Sequence, residues 1–350
     1  MIVPAQGNLL TADADALVNS VNCEGFMGKG IALQFKKAFP ANFEAYRRAC
    51  KQGAVVPGRM LVHETGALAR PHYVINFPTK RQWRSKSRLE DIRDGLGALV
   101  AAVRERGIES IAVPPLGCGL GGLDWRDVRP LIVKAFEGLP HVRVLLFEPS
   151  AAPTADQMPI RTARPAWTTA RAMFVALIGT YAELAYRLSL LELQKLAYFL
   201  QEGGQPLRLR YVKHHYGPYA HNLNKVLERL EGHSIRGYGD SHAPDVTVEL
   251  TDTALPEVEA FLQDDAPARA RLERVARLID GFETPYGMEL LASVHWVAAH
   301  DRPAARNADD AVGAIHAWSD RKRRLLRDEH VRLAWRRLHE EGWLPTSAAS

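Results

Sequence analysis

The chain has 350 residues, 47% of them apolar and 24% charged, with a formal net charge of +5. That length exceeds what one compact core usually holds, so two domains are expected. No apolar run approaches the ~20 residues of a membrane span, the opening Met1-Ile2-Val3-Pro4 lacks the pattern of a signal peptide, and three cysteines build neither a disulfide framework nor a zinc site.

Residues 16–21 form an apolar run that predicts a buried strand. Ile31, Phe35 and Ala38 share one face of a helix over 31–39. Strands are expected over 59–64 and 73–77. Residues 89–106 form a strong helix, with Ile92, Leu96, Leu99, Val100 and Val103 at helical spacing. A strand over 110–113 precedes a helix that Asp124 can cap and that runs through Phe136. A strand over 142–147 closes the unit. This alternation predicts an α/β fold, three layers around a mixed, mostly parallel sheet.

The composition then shifts. Four prolines fall within 149–165, a linker signature. The expected division is one domain over 1–150, a linker over 151–166 and a second domain over 167–350. The second reads as mainly α, with helical patterns over 170–201, 256–282, 289–300 and 311–341. Strand-like runs over 207–212 and 246–250 add a small β element. Charge is uneven: roughly +6 over residues 1–150 and roughly −1 beyond. A basic first half suits a polyanionic ligand, although a modest excess also simply aids solubility.

Two glycine-rich loops run from strand ends into helix starts. The first is Asn19-Ser20-Val21-Asn22-Cys23-Glu24-Gly25-Phe26-Met27-Gly28-Lys29-Gly30-Ile31-Ala32. The second is Leu116-Gly117-Cys118-Gly119-Leu120-Gly121-Gly122-Leu123-Asp124. Glycines let backbone N–H groups approach a ligand closely, and helix N-termini favour anions. Two such loops on one sheet can cradle both phosphates of a diphosphate. Neither ends in the Gly-Lys-Ser/Thr of a nucleotide triphosphatase, and neither has the glycine spacing of a dinucleotide-binding first turn.

In this order and spacing the pieces resemble the macrodomains, over nearly all of residues 1–150. Gln6-Gly7-Asn8-Leu9-Leu10 resembles the entry strand at which an acid usually reads adenine; Asn8 stands there instead. Within macrodomains, Met27-Gly28-Lys29-Gly30-Ile31-Ala32 and Asn76-Phe77-Pro78-Thr79-Lys80 resemble one branch. It holds terminal ADP-ribose protein glycohydrolase and the DarG-type DNA ADP-ribosyl glycohydrolase antitoxins. The resemblance implies ADP-ribose contacts from Gly7, Asn8, Leu9, Asn19, Ser20, Gly28 to Ala32, Thr79 and Leu116 to Gly122. It also implies a catalytic Lys80. The aspartate that the protein-directed relative carries in its second loop is replaced here by Gly121, which favours the DNA-directed subgroup.

The chemistry can be weighed on its own. Loss of ADP-ribose from its target passes through an oxocarbenium-like state at the distal ribose. An amine can trap that carbon, or an ammonium can orient and protonate the leaving group. An ordinary lysine is neutral about once in ~2,500 molecules at pH 7. Burial, or cations such as Arg81 and Lys29, would raise that fraction. Asn22 is the second catalytic candidate, since an amide binds ribose hydroxyls without ionising. Glu24 is the nearest carboxylate. Asp124 reads as a cap and Cys118 as a packing residue.

The run 79–88 holds five cations and Trp83. Phosphate attraction by Arg81, Arg84 and Lys86, with base stacking on Trp83, suits single-stranded DNA. A solvated basic loop is the plainer alternative. In the second domain, Gln194-Lys195-Leu196-Ala197-Tyr198-Phe199-Leu200 and Tyr216-Gly217-Pro218-Tyr219 resemble helical antitoxin modules. His214, His215 and His221 read as packing or surface residues rather than metal ligands. The expectation is a cytoplasmic antitoxin without cofactor or metal. It would remove ADP-ribose from a DNA base and bind its cognate DNA ADP-ribosyltransferase toxin through the second domain. A protein mono-ADP-ribosyl hydrolase and a non-catalytic ADP-ribose reader are the alternatives.

Overall fold

A computed structural model describes residues 1–149, 158–184, 188–239, 246–300 and 307–344. Two compact units emerge: the first holds Met1–Arg164 and takes in Gly239 as well, and the second begins at Pro165. Of the expected linker, residues 150–157 lie outside the described residues. Beyond them Met158 packs against the first unit's core, and Arg161 lies over the Phe39 ring and bonds through its N–H to the Lys37 carbonyl.

The first unit is built on a six-stranded sheet. Its strands are β1 (Ile2–Ala5), β2 (Ala16–Asn22), β3 (Leu61–Glu64), β4 (Tyr73–Lys80), β5 (Ser110–Val113) and β6 (Arg143–Phe147), in the order β1-β6-β5-β2-β4-β3. All pairings are parallel except that of β3 with β4. Helices cover both faces, so β2 is apolar almost throughout, as a doubly covered strand must be. Ala16 and Val18 of β2 face a core with α3 (Leu89–Glu105) and α4 (Trp125–Phe136). Leu17 faces Phe35 and Ala38 of α1 (Gly30–Ala38). Toward the strand end, Val21 packs with Met27 and with Tyr46 of α2 (Pro40–Lys51). These are the three layers expected of a macrodomain.

Three elements were not evident in the sequence reading. β1 and α2 are additional, and β4 runs three residues past Phe77, through Pro78, to end on Lys80. Proline usually argues against an interior strand because it lacks a donor. Here it is accommodated opposite Val21 of β2.

The second unit is mainly helical. In chain order it holds α5 (Thr169–Leu184), β7 (Leu188–Ser189), α6 (Leu190–Glu202), β8 (Tyr211–His214), β9 (Gly217–Ala220) and α7 (Leu223–Leu230). Then follow β10 (Ile235–Arg236), β11 (Thr247–Leu250), α8 (Ala254–Leu262), α9 (Ala266–Ile279), α10 (Pro285–His300), α11 (Ala308–Trp318), α12 (Asp320–Leu325) and α13 (Asp328–Glu340). The strand expected over 207–212 lies later, at β8, and forms a hairpin with β9. The helical pattern over 256–282 is two helices, broken before Asp265, which caps α9 by accepting from the Ala268 N–H. No described helix is long and apolar enough to cross a membrane.

Close packing makes one fold prediction. A Cβ on Gly95 of α3 would lie 2.2 Å from the Phe77 ring, whereas one on the exposed Gly97 meets nothing within 4 Å. Gly95→Ala should lower unfolding free energy by about 1–3 kcal/mol. Gly97→Ala should raise it by about 0.5–1 kcal/mol through helix propensity. Urea titration of both variants checks the contrast.

Candidate active site

The site forms where the parallel strands end. A register shift between Val21 and Asn22 sets Asn22 directly opposite Lys80 on β4. The two candidate catalytic residues, 58 positions apart in the chain, become strand neighbours. Lys80 is the last residue of β4, half-buried, and its Nζ donates to the Leu120 carbonyl of the second loop. Leu120 in turn leans toward Gly30, whose built Cβ would lie 3.3 Å from it. Lys80, the first loop and the second loop therefore meet at one place. Burial lowers the Lys80 ammonium below the ordinary lysine value. The expected help from Arg81 or Lys29 is not the cause: desolvation alone is.

Asn22 is 8% exposed and its amide is engaged locally. Its Nδ2 donates to the Phe26 carbonyl at 2.6 Å, and its Oδ1 accepts from the Glu24 N–H at 2.9 Å and the Phe26 N–H at 3.4 Å. Beneath it the Tyr46 hydroxyl donates to the Asn22 carbonyl at 2.7 Å. Burial pushes the Tyr46 phenol well up, so it remains a neutral donor. Asn22 thus shapes the first loop, and its Oδ1 is already occupied by that loop. This differs from the expected direct grip on a ribose.

Several residues expected to touch the ligand are instead interior. Asn19 is fully buried and donates to Asn76 Oδ1 at 3.0 Å; Asn76 and Asn42 exchange side-chain bonds at 2.7 and 3.2 Å. Thr79 is 4% exposed and its hydroxyl donates to the Val21 carbonyl. The Leu9 and Leu116 side chains are core. Strands covered on both faces leave no open side for these groups. Asn8 caps the short turn Leu9–Thr11 by accepting from the Leu10 N–H at 3.0 Å. Gly7, Ser20, Gly28, Lys29, Gly30, Ile31 and Ala32 keep at least partial exposure, as do Cys118, Gly119, Leu120 and Gly122.

The second loop is tightly folded. Gly117 and Gly122 have φ of +72° and +76°, and the Leu123 N–H returns to the Gly117 carbonyl at 3.0 Å. A Cβ on Gly121 would lie 2.2 Å from the Gly117 carbonyl oxygen and 2.3 Å from Ser87 Oγ. Ser87 also donates its N–H to the Gly121 carbonyl at 2.9 Å. Position 121 therefore cannot carry a side chain in this conformation. Burial raises the Cys118 thiol to about 11, which suits packing and not nucleophilic attack. Asp124 caps α4, and the Arg126 guanidinium and N–H hold its carboxyl down at about 2.

The basic run after Lys80 is a strap joining both loops. Its far end is the Ser87–Gly121 bond. Near its middle the Trp83 N–H donates to Glu24 Oε2 at 2.7 Å. Glu24 is thereby a structural acceptor for the strap. Arg81 differs from expectation: it forms a two-pronged pair with the buried Asp91 of α3, at 2.9 and 3.2 Å, so its charge is engaged within the fold. Arg84 and Lys86 are exposed, and Arg84 lies 4.4 Å over the Trp83 ring. Among the described residues no group of His, Cys, Asp and Glu could hold a metal ion. His214 and His221 pack against Tyr219. Tyr46, Asp91 and Ser87 were absent from the sequence reading. Pro40 at a helix first turn, with Phe43, Tyr46 and Cys50 at helical spacing, was the available signal for Tyr46.

The crowding at Gly121 is testable. Gly121→Asp, which restores the carboxylate of the protein-directed relative, should displace the loop. Overpacking of this kind costs about 1–3 kcal/mol, or about five- to 150-fold if it falls wholly on ADP-ribose affinity. Calorimetric titration with ADP-ribose measures it; wild-type affinity in Gly121→Asp would show that the loop yields freely.

Comparison with known proteins gives the family. Residues 18–132 match the Macro domain family model. The chain is 48% identical over 318 residues to a DNA ADP-ribosyl glycohydrolase of Thermus aquaticus, covering 91% of this chain and 87% of that protein. It is 41% identical over 353 residues to one of Mycobacterium tuberculosis, covering 97% and 99%. A DNA ADP-ribosyl transferase-DNA ADP-ribosyl glycohydrolase fusion protein of Thermosipho africanus matches at 33% identity over 144 residues, 37% of each chain. With its macrodomain built around Lys80 and the two glycine loops, the chain belongs to the DNA ADP-ribosyl glycohydrolase family.

Proposed function

We propose that this protein is an antitoxin that hydrolyses the N-glycosidic bond between ADP-ribose and a base of single-stranded DNA. The observation that carries the reading is Lys80, half-buried at the junction of both glycine loops. The loops offer backbone N–H groups to the diphosphate. The distal ribose then lies toward the strand ends, where Lys80 and Asn22 stand side by side.

Burial favours the neutral amine, and hence attack by Nζ on the anomeric carbon. A C–N bond forms to Lys80 as the bond to the base breaks; the electron pair and the amine's proton go to the departing base. Water then cleaves the lysine adduct and releases ADP-ribose. The alternative role, an ammonium that protonates the leaving group, requires the opposite charge state.

DNA as the target is supported by the names of the Thermus aquaticus and Mycobacterium tuberculosis relatives and by the strap, which carries Trp83, Arg84 and Lys86 directly after Lys80. A protein target is disfavoured by the exclusion of a second-loop carboxylate. The second domain, we infer, binds the cognate transferase. The support is a relative in which transferase and glycohydrolase share one chain, together with near-neutral charge, which suits a basic, DNA-handling partner.

Lys80→Ala should lose release of ADP-ribose from modified single-stranded oligonucleotides yet retain ADP-ribose binding by calorimetry. Wild-type turnover in that variant removes Lys80 from the mechanism. For amine attack, the rate rises with pH as Lys80 deprotonates and levels off below the pH at which an ordinary lysine, near 10.5, would titrate. A rate that falls over that range assigns Lys80 the acid role.

The partner inference has its own measurement. Full-length Lys80→Ala, inactive as a hydrolase, should still co-purify with the transferase and partly protect cells that express it. Absence of both effects sinks toxin binding by the second domain without touching the hydrolase reading.

A further inference from the structure

Three exposed large apolar side chains, Phe26, Trp83 and Leu120, gather around Lys80. Leu120 is explained by its contact with Gly30. The other two are Phe26 and Trp83. They are 56% and 41% exposed, come from different segments, and touch each other with ring centroids 6.2 Å apart at 56°. Exposing two adjacent aromatic rings is costly unless a partner covers them.

Their placement is built, not incidental. Asn22 grips the Phe26 backbone from both sides, through its N–H and its carbonyl. Asn22 also accepts from the Glu24 N–H, and Glu24 in turn accepts from the Trp83 N–H. One buried amide therefore positions both rings, the second through Glu24. The turn carrying Trp83 is closed by Ser85, whose N–H and hydroxyl both donate to the Gln82 carbonyl. Arg84 stacks over the indole, and the exposed Lys86 and Arg88 continue along the strap. Among the described residues, neither Arg84 nor Lys86 has a carboxylate partner. Flat apolar faces bordered by unneutralised cations match a nucleobase and its phosphates.

We propose that Phe26 and Trp83 form a single stacking ledge for a base of the substrate strand, and that Glu24 is the positioning residue that holds the ledge beside Lys80. This rests on the DNA-directed function above and adds to it the means by which the strand is seated.

The test is kinetic, on the full chain, with an ADP-ribosylated single-stranded oligonucleotide as substrate. Phe26→Ala and Trp83→Ala should each raise KM by about fivefold or more, in line with loss of one stacked base, and leave kcat within about twofold. The double variant should fall well short of the product of the two single effects, because one surface is removed. Phe26→Tyr and Trp83→Phe should restore KM. Glu24→Ala should raise KM as Trp83→Ala does, and Glu24→Gln, which keeps an acceptor oxygen, should not. Affinity for free ADP-ribose should stay near wild type in all of them, which also verifies folding.

Unchanged KM in Phe26→Ala and Trp83→Ala overturns the ledge. So does a loss confined to release from ADP-ribosylated protein, since the ledge would then seat a polypeptide. If the wild type itself releases nothing from the oligonucleotide, it is the DNA-directed function that fails.

Discussion

The parallel pairing of β2 with β4 is the constraint on which the site depends. Its register shift brings Asn22 level with Lys80. From that point the side chains reach in opposite directions. Asn22 reaches back into its own segment and shapes residues 24–26. Lys80 reaches across to the Leu120 carbonyl. Each glycine loop is thus tied to a strand end by one polar side chain. The strands are held from beneath by the Asn19–Asn76–Asn42 amides and the Tyr46 hydroxyl, all buried. Buried amides are stabilising only when paired; Asn76 and Asn42 pair mutually and Asn19 donates into that pair, while the Asn19 Oδ1 has no partner among the described residues. A slip in register would leave several donors unmet at once.

The second loop shows how the same economy of space selects chemistry. Two positive-φ glycines fold it back on itself, and Ser87 fills what remains beside Gly121. A carboxylate there would meet a backbone oxygen, which cannot move as a flexible side chain can. Glycine at 121 is therefore a requirement of this loop packing. Under the proposed function, discrimination between leaving groups would come from elsewhere around Lys80. The strap is the element available, since it is anchored on both loops and carries the aromatic and cationic groups.

Much of this was legible in the sequence, and the limits have physical causes. Apolar periodicity located β2, α3, α4 and β5 because each buries a simple face. Glycines marked both loops because positive φ demands them. Pro78 concealed the end of β4, as its missing donor argues for a strand boundary three residues too early. The roles of Asn19 and Thr79 depended on which strand face stays open, and a doubly covered sheet leaves none; motif resemblance alone does not report burial. Arg81 looked like one more strap cation because its partner, Asp91, sits ten residues on, in the first turn of α3, and local sequence does not report that the chain folds back to bring the two together. Ser87 and Glu24 act through backbone groups of distant residues, for which local sequence carries no signal.

The second unit uses its polar residues differently. Lys195 is buried and donates to the Pro218 carbonyl at 2.8 Å, fixing β9 to α6, while Gln194 bonds both backbone groups of Ala220. Burial and the nearby Lys322 push the Lys195 ammonium down from its ordinary value. Lys322 is itself enclosed, donating to Glu289 at 2.9 Å and Ser293 at 2.8 Å, and Arg321 completes the pairing of Glu289. Tyr198 and His295 meet at 2.7 Å in the same interior. The Gln194-Lys195 and Tyr216-Gly217-Pro218-Tyr219 motifs, which resemble helical antitoxin modules, are thus committed to joining helices and hairpin. A buried ion pair left incomplete is heavily penalised, so these groups specify one packing of the unit. Binding of the transferase by this unit, as proposed, would then fall to its surface, with the interior polar groups setting the rigidity of that surface.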